Sequence, residues 1–275
     1  MGKISASEVN KLRKMTGAGM MDCKKALTKT DGDFDKAVKV IREKGQAIAN
    51  KRSDREATEG VVLAATSANA KTGMMIALNC ETDFVAKNES FINIAKSILN
   101  VALENNPADL DALKKLELDG KTIEDVVIEQ TGIIGEKVEL AYFDKISDEQ
   151  VTAYIHSDNK LATLVSLNKA GIEEQVGRDV AMQAAAMNPI ALDKDDVPQD
   201  VIDGELEIGK KQAIAEGKPE NLIEKIAMGK LGKYYKENTL LNQAFIKENK
   251  MSVKQYLQNT EKELTVTAFK RYSLK

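Results

Sequence analysis

The chain is expected to fold as an α+β protein: a three-helix N-terminal module, then a two-subdomain core of antiparallel sheets with helices and a helical insertion. Apolar residues recur at helical spacing through the first 45 positions, with capping signals between them. Two pairs of short apolar runs, Val61–Ala65 with Met74–Leu78 and Val151–His156 with Leu161–Leu167, are split by turn residues and followed by amphipathic stretches. Alternation returns at Leu264–Tyr272, so sheet, helices and sheet succeed one another along the chain.

Ser5-Ala6-Ser7-Glu8 reads as a capping box, Val9, Leu12 and Thr16 as one helix face, and Gly17 as its stop. A second helix over about 20–29 is expected to turn Met21, Ala26 and Leu27 inward. Asp31-Gly32-Asp33 is a turn whose last residue caps a third helix. There Phe34, Ala37, Val38 and Ile41 repeat at i, i+3, i+4 and i+7, and Gly45 is expected to close it. Residues 46–59 are polar without a hydrophobic period and read as a helical extension fraying into a linker. Residues 1–55 make the first module.

The first hairpin turns at 67–73, and a helix over about 86–105 follows, with Phe91, Ile94, Ala95, Ile98 and Ala102 on one stripe. Shorter helices near 108–116 and 122–131 and a strand at 137–143 complete a core N-subdomain, 56–144. The second hairpin turns at Asp158-Asn159, and a helix at 173–187 stops at Asn188-Pro189. Residues 198–248 read as Glu- and Lys-rich helices broken at Gly217-Lys218-Pro219, so a core C-subdomain, 145–275, carries a helical insertion at about 188–235. The hairpin-then-helix runs at 60–105 and 151–187 look like a diverged internal repeat.

Composition narrows the function classes. Of 275 residues 43% are hydrophobic, enough for a real core, and the length suits two or three modules. Forty basic against 43 acidic residues leave a net charge of −3, whereas nucleic-acid binders usually carry a basic surplus, so direct nucleic-acid binding is disfavoured. No apolar run approaches the roughly 18 residues of a membrane span. Met1-Gly2-Lys3-Ile4-Ser5 lacks the apolar stretch of a secretory leader, and Ala6 stands where N-myristoylation wants Ser or Thr; a cytoplasmic protein is expected. One histidine and two distant cysteines, Cys23 and Cys80, argue against a Cys/His zinc site and against a metal or cofactor centre of that kind. No GxSxG, GxxxxGK[ST] or GxGxxG stretch is present, so neither an enzyme nor direct nucleotide binding is expected.

Three stretches carry a family resemblance. They are Val9-x-x-Leu12-Arg13-x-x-Thr16 through Leu27, Asn79-Cys80-Glu81-Thr82-Asp83-Phe84-Val85-Ala86-Lys87-Asn88, and Gly217-Lys218-Pro219-Glu220 through Leu231. In this order, and with likeness running nearly end to end, the chain resembles the translation elongation factor Ts family. The resemblance implies a ubiquitin-associated (UBA)-like N-terminal module and a guanine-nucleotide exchange factor for elongation factor Tu. Such a factor binds both the GDP-bound and the nucleotide-free forms of its partner. It further implies that Thr82, Asp83, Phe84 and Val85 dislodge Mg2+ from the partner, and that Arg13, Met20, Met21, Ile134, Gly135 and His156 make other contacts. A further C-terminal helical module, found in some members, is expected to be absent, and both a monomer and a homodimer or 2:2 complex fit the family. The sequence departs from it at His156-Ser157-Asp158-Asn159, where members have a His-Gly-Gly-type turn, and at Arg178-Asp179, where many have a histidine.

The residues suit that role physically. A release factor must prefer the empty GTPase, and by linkage each ligand weakens the other equally. Mg2+ demands near-octahedral oxygens, so a small displacement of its surroundings ruins the site. Phe84 can fill a pocket as an aromatic anchor while Asp83 brings a carboxylate into a site arranged for phosphate. A blander reading competes: Thr82 or Asp83 caps the next helix, and Phe84 fills the core. Met20 and Met21 could equally be core or adaptable contact residues, His156 a polar strand end, and Cys23 and Cys80 small apolar fillers. Three other classes stand as rivals: a UBA-type adaptor working through residues 1–55, a tRNA- or ribosome-binding protein, and an enzyme of unrecognised type.

Overall fold

The computed structural model describes residues 4–274; positions 1–3, on which the leader and acylation readings rest, and position 275 lie outside them. Three helices come first, α1 (Ala6–Thr16), α2 (Met20–Lys29) and α3 (Phe34–Arg52). The capping box forms: the Glu8 amide donates to Ser5 Oγ at 3.2 Å and the Ser5 amide donates to the Glu8 carboxylate at 2.7 Å. Gly17 ends α1 with φ +68°, where a side chain would be strained. Val9, Leu12, Cys23, Ala26, Leu27 and Ala37 share the module's core with Ala18.

Two expectations fail here. Met21 is 64% exposed rather than inward. The inward face of α2 is set by Cys23, Ala26 and Leu27, and Met21, two residues before Cys23, lies about 200° of helical rotation away from it. Nor does Gly45 close α3, which continues to Arg52. Instead Gly45 meets Gly132 of a later helix: a Cβ on Gly132 would stand 2.4 Å from the Gly45 Cα. Glycine is there to let two helix backbones touch, at a propensity cost of about 1 kcal/mol each.

The next stretch holds β1 (Glu59–Thr66), β2 (Thr72–Cys80), α4 (Asp83–Ala86), α5 (Glu89–Asn105) and α6 (Leu110–Lys114). A two-residue ladder, β3 (Glu117–Leu118) with β4 (Lys121–Thr122), leads to α7 (Ile123–Ile134) and β5 (Glu139–Ser147). The strand order is β1-β2-β5. Helix α5 buries Phe91, Ala95, Ile98, Leu99 and Ala102, with Ile94 only part-buried, and stops at left-handed Asn106.

The remainder begins with β6 (Gln150–Ile155), β7 (Leu161–Leu167), α8 (Glu174–Met187), α9 (Gln199–Ala215) and α10 (Glu220–Asn238). It closes with β8 (Ala244–Phe245), β9 (Glu248–Ser252), α11 (Val253–Thr260) and β10 (Val266–Ser273). β7 is central and antiparallel to both neighbours, with Ile155 opposite Ala162 and Phe269 opposite Val165. The altered turn closes tightly, Asn159 adopting φ +57° and donating its amide to the His156 carbonyl at 2.9 Å. The helical reading of 198–248 is corrected, because α10 ends at Asn238. Beyond it Thr239, Leu240, Leu241 and Gln243 are buried, and Gln243 Nε2 donates to the Glu237 carbonyl at 2.9 Å, so the chain folds inward instead of continuing.

Compactness divides the chain into two units. One runs through Leu63 and resumes at Ile76–Asp144; the other comprises Ala64–Met75 and Lys145–Ser273. The second has a core in which Val165, Leu167, Val176, Val180, Leu240, Phe245 and Leu257 meet.

Candidate functional site

Strand β2 is apolar and buried to its last residue, Cys80, and the chain then leaves the sheet through Glu81 and Thr82 into the single turn of α4. Both exit residues are tied to the segment between α7 and β5. The Thr82 amide donates to Glu136 Oε2 at 3.0 Å and its hydroxyl donates to Glu136 Oε1 at 2.8 Å. In return, Glu81 Oε1 accepts from the Lys137 amide at 2.6 Å and from Arg52 Nη1 at 2.6 Å. The Lys137 amide, with Arg52 and Arg55 assisting, holds the Glu81 carboxyl below its ordinary pKa against the opposing effect of burial. Burial, with the Glu136 carboxylate adding to it, pushes the Cys80 thiol up to about 12, so no thiolate nucleophile forms there near neutrality.

Past this brace stands Phe84, 84% exposed, before the chain dives again at buried Ala86. The Asp83 carboxylate accepts from Lys87 Nζ at 2.6 Å, one helical turn on, and Val85 is half-buried. The blander reading of this segment is therefore answered in part. Phe84 is not core. Thr82 occupies the N-cap position of α4 but its side chain makes no capping bond, being spent on Glu136. Helix α5 has its own cap, Asn88, whose Oδ1 accepts from the Ser90 amide at 2.9 Å.

Ile134 is the last residue of α7 and half-buried, and Gly135 ends that helix with φ +78°. Their turn is what delivers Glu136 to Thr82, so two of the sequence-derived contact groups prove to be neighbours. Arg13 is exposed on α1, and Met20 and Met21 are 52% and 64% exposed at the start of α2. Met15, which sequence reasoning passes over, is also exposed on the other side of the Gly17–Gly19 turn. His156 belongs to the other unit, exposed, with Nδ1 3.0 Å from the Tyr154 hydroxyl. It borders a shallow groove of about 350 Å3 with Tyr154, Leu161, Met182, Ala185 and Ile246. Sequence reasoning also misses Arg52 and Lys137 as supports of the exit. No local pattern announces them, since Arg52 and Glu81 are 29 positions apart and Glu81 and Lys137 are 56. Among the described residues no group of three or more His, Cys, Asp or Glu side chains could hold a metal ion.

A family model described as Elongation factor TS matches residues 81–275. The protein named Elongation factor Ts from Amoebophilus asiaticus is 53% identical over 270 residues, covering 98% of each chain. Those of Porphyromonas gingivalis and Cytophaga hutchinsonii, with the same name, are 52% and 51% identical, covering 98% and 100% of each chain. An α+β fold and relatives of this kind define a translation elongation factor. Within that class the chain belongs to the elongation factor Ts family, and its role is guanine-nucleotide exchange on elongation factor Tu during protein synthesis.

Proposed function

We propose that the Thr82–Val85 turn is the working part of this exchange factor. Phe84 enters a pocket of GDP-bound elongation factor Tu and displaces the elements around Mg2+, and Asp83 presents a carboxylate where phosphate and cation meet. The cation's octahedral shell then fails, GDP leaves, and the factor stays on the nucleotide-free partner until GTP displaces it. The observation carrying this reading is the 84% exposure of a phenylalanine on a turn braced from both sides. Leaving a phenylalanine ring in water forgoes about 1.5–3 kcal/mol of burial, which contact with a partner recovers.

Arg13, Met20 and Met21 on the three-helix module, Ile134 and Gly135 beside the brace, and His156 in the second unit serve as additional contacts. Their exposure supports this for Arg13, the two methionines and His156. The factor makes no covalent bond and takes no cofactor or nucleotide of its own. It works in the cytoplasm; among the described residues no helix is long and apolar enough to cross a membrane. The net charge of −3 favours a protein partner over tRNA or ribosomal RNA.

The test loads elongation factor Tu with a fluorescent GDP analogue and times its release by the full chain, by Asp83→Asn and by Phe84→Ala. Both variants are expected to slow release, Phe84→Ala more. Release at the full rate by Phe84→Ala sinks the assignment.

A further inference from the structure

We infer that Glu136 is a positioning residue for nucleotide exchange, the carboxylate that aims the Phe84 turn. The inference rests on the reading of Thr82–Val85 as the working part. Phe84 is 84% exposed, so packing within its own chain does little to fix its direction; the backbone on either side of it must do so. Downstream that backbone is held by buried Ala86. Upstream it is held at Thr82, where both the amide and the hydroxyl donate to the two oxygens of one carboxylate, at 3.0 and 2.8 Å. A bidentate acceptor fixes both the position of Thr82 and its rotation about the chain, which a single bond would leave free.

The tie is crossed. Glu136 takes the amide of residue 82, and Glu81 takes the amide of residue 137, at 2.6 Å. Side-chain oxygens thus stand in for strand pairing where β2 has ended and β5, which begins at Glu139, has not yet started. Glu136 itself follows Gly135, the left-handed stop of α7, so the rigid end of a helix carries the clamp. Interactions held in advance lower the ordering cost of docking an aromatic side chain, and that saving is realised when the partner's pocket is distorted.

The experiment measures release of the fluorescent GDP analogue against concentration of the full chain, separating the maximal rate from the half-saturating concentration. Melting temperature is read beside it. Glu136→Ala is expected to lower the maximal rate about fivefold with the half-saturating concentration changed less than twofold, because contacts elsewhere still bind the partner. Glu136→Gln is expected to restore it, its amide oxygen accepting from the Thr82 amide and its NH2 donating to the Thr82 hydroxyl. Thr82→Val, which keeps the backbone bond and loses the other, should fall between, and Thr82→Val added to Glu136→Ala should cost less than the two single effects multiplied. A Glu136→Ala protein with the full maximal rate, or a Gln variant as slow as the Ala one, overturns the inference. If Glu136→Ala melts too early to assay, Thr82→Val decides, and its full maximal rate counts against the inference. Phe84→Ala, run in parallel, separates the two claims. When it is slow and Glu136→Ala is not, only the positioning role falls; when it exchanges at the full rate, the reading of the turn falls and takes the positioning role with it.

Discussion

The two three-stranded sheets are connected alike and finished differently. In each, a hairpin is followed by helices, and a third strand returns beside the hairpin's second strand: β5 beside β2, and β10 beside β7. In each, the chain leaving the central strand is fastened to the segment that precedes the third strand. After β7, Asn168 Nδ2 donates to the Glu263 carbonyl at 2.9 Å, the Thr265 amide donates back to Asn168 Oδ1 at 2.9 Å, and Lys169 reaches Glu261 at 2.7 Å. After β2, Glu81 and Thr82 are fastened to Glu136 and Lys137 in the corresponding place. The two diverge in the residues beyond the fastening. The β7 exit, Asn168-Lys169-Ala170-Gly171-Ile172-Glu173, holds no aromatic residue, and its Ile172 amide returns to Gln150 Oε1 at 2.9 Å. The β2 exit raises Phe84 into solvent. One connection turns back into the fold; the same connection elsewhere leaves an aromatic ring exposed.

The sharpest way to break this contrast is to disarm both exits. Phe84→Ala should slow GDP release from elongation factor Tu about tenfold or more, in the range of an interface hot spot, with melting temperature unchanged. Lys169→Ala, at the other exit, should leave release within about twofold. If both variants slow release equally, the two exits are not specialised. A different large effect, on stability, is expected at the helix crossing. Gly132→Ala puts a Cβ 2.4 Å from the Gly45 Cα, and backbone against backbone has no side chain to yield. A loss of about 1–3 kcal/mol, seen in urea unfolding, is the expected result of such overpacking. A Gly132→Ala protein as stable as the parent would show that α3 and α7 do not depend on this contact.

The fold is largely legible because its signals are local. The Ser5–Glu8 box, the Asn159 turn and the Phe91 stripe each span a short continuous stretch of chain, and each forms where the sequence places it. Gly45 misleads for the opposite reason: a glycine that stops a helix and one that admits a neighbouring helix look the same until Gly132, 87 positions away, is brought against it. Helix α11 escapes the sequence reading although Ser252 and Gln255 form a capping box at its start, with Val253 and Leu257 as its apolar face, a signal open to view. At the site, the motif itself is visible and its support is not. Exposure of Phe84 and the bonds from Thr82 to Glu136 are properties of the folded neighbourhood, and neither residue type encodes them.

The fastenings can be compared directly. Asn168→Ala removes an acceptor and a donor, leaving the Thr265 amide without its partner, and should cost about 1–2 kcal/mol in unfolding while release stays normal. Its effect should not vary between pH 4 and 7, since no proton is exchanged. The Glu81 fastening is ionic and must behave otherwise. Its folded pKa lies below the unfolded glutamate value of about 4.3, so the folded state favours the charged form. The stability it adds is therefore present above that value and is lost as pH falls through the folded pKa. The amount is best read as a difference between parent and variant. Unfolding free energy of the parent and of Glu81→Gln should run parallel from pH 7 to about 5. Below that, the parent should approach the variant as its extra carboxylate stabilisation disappears. Parallel curves down to the acid limit would mean that the charge on Glu81 adds nothing to the brace.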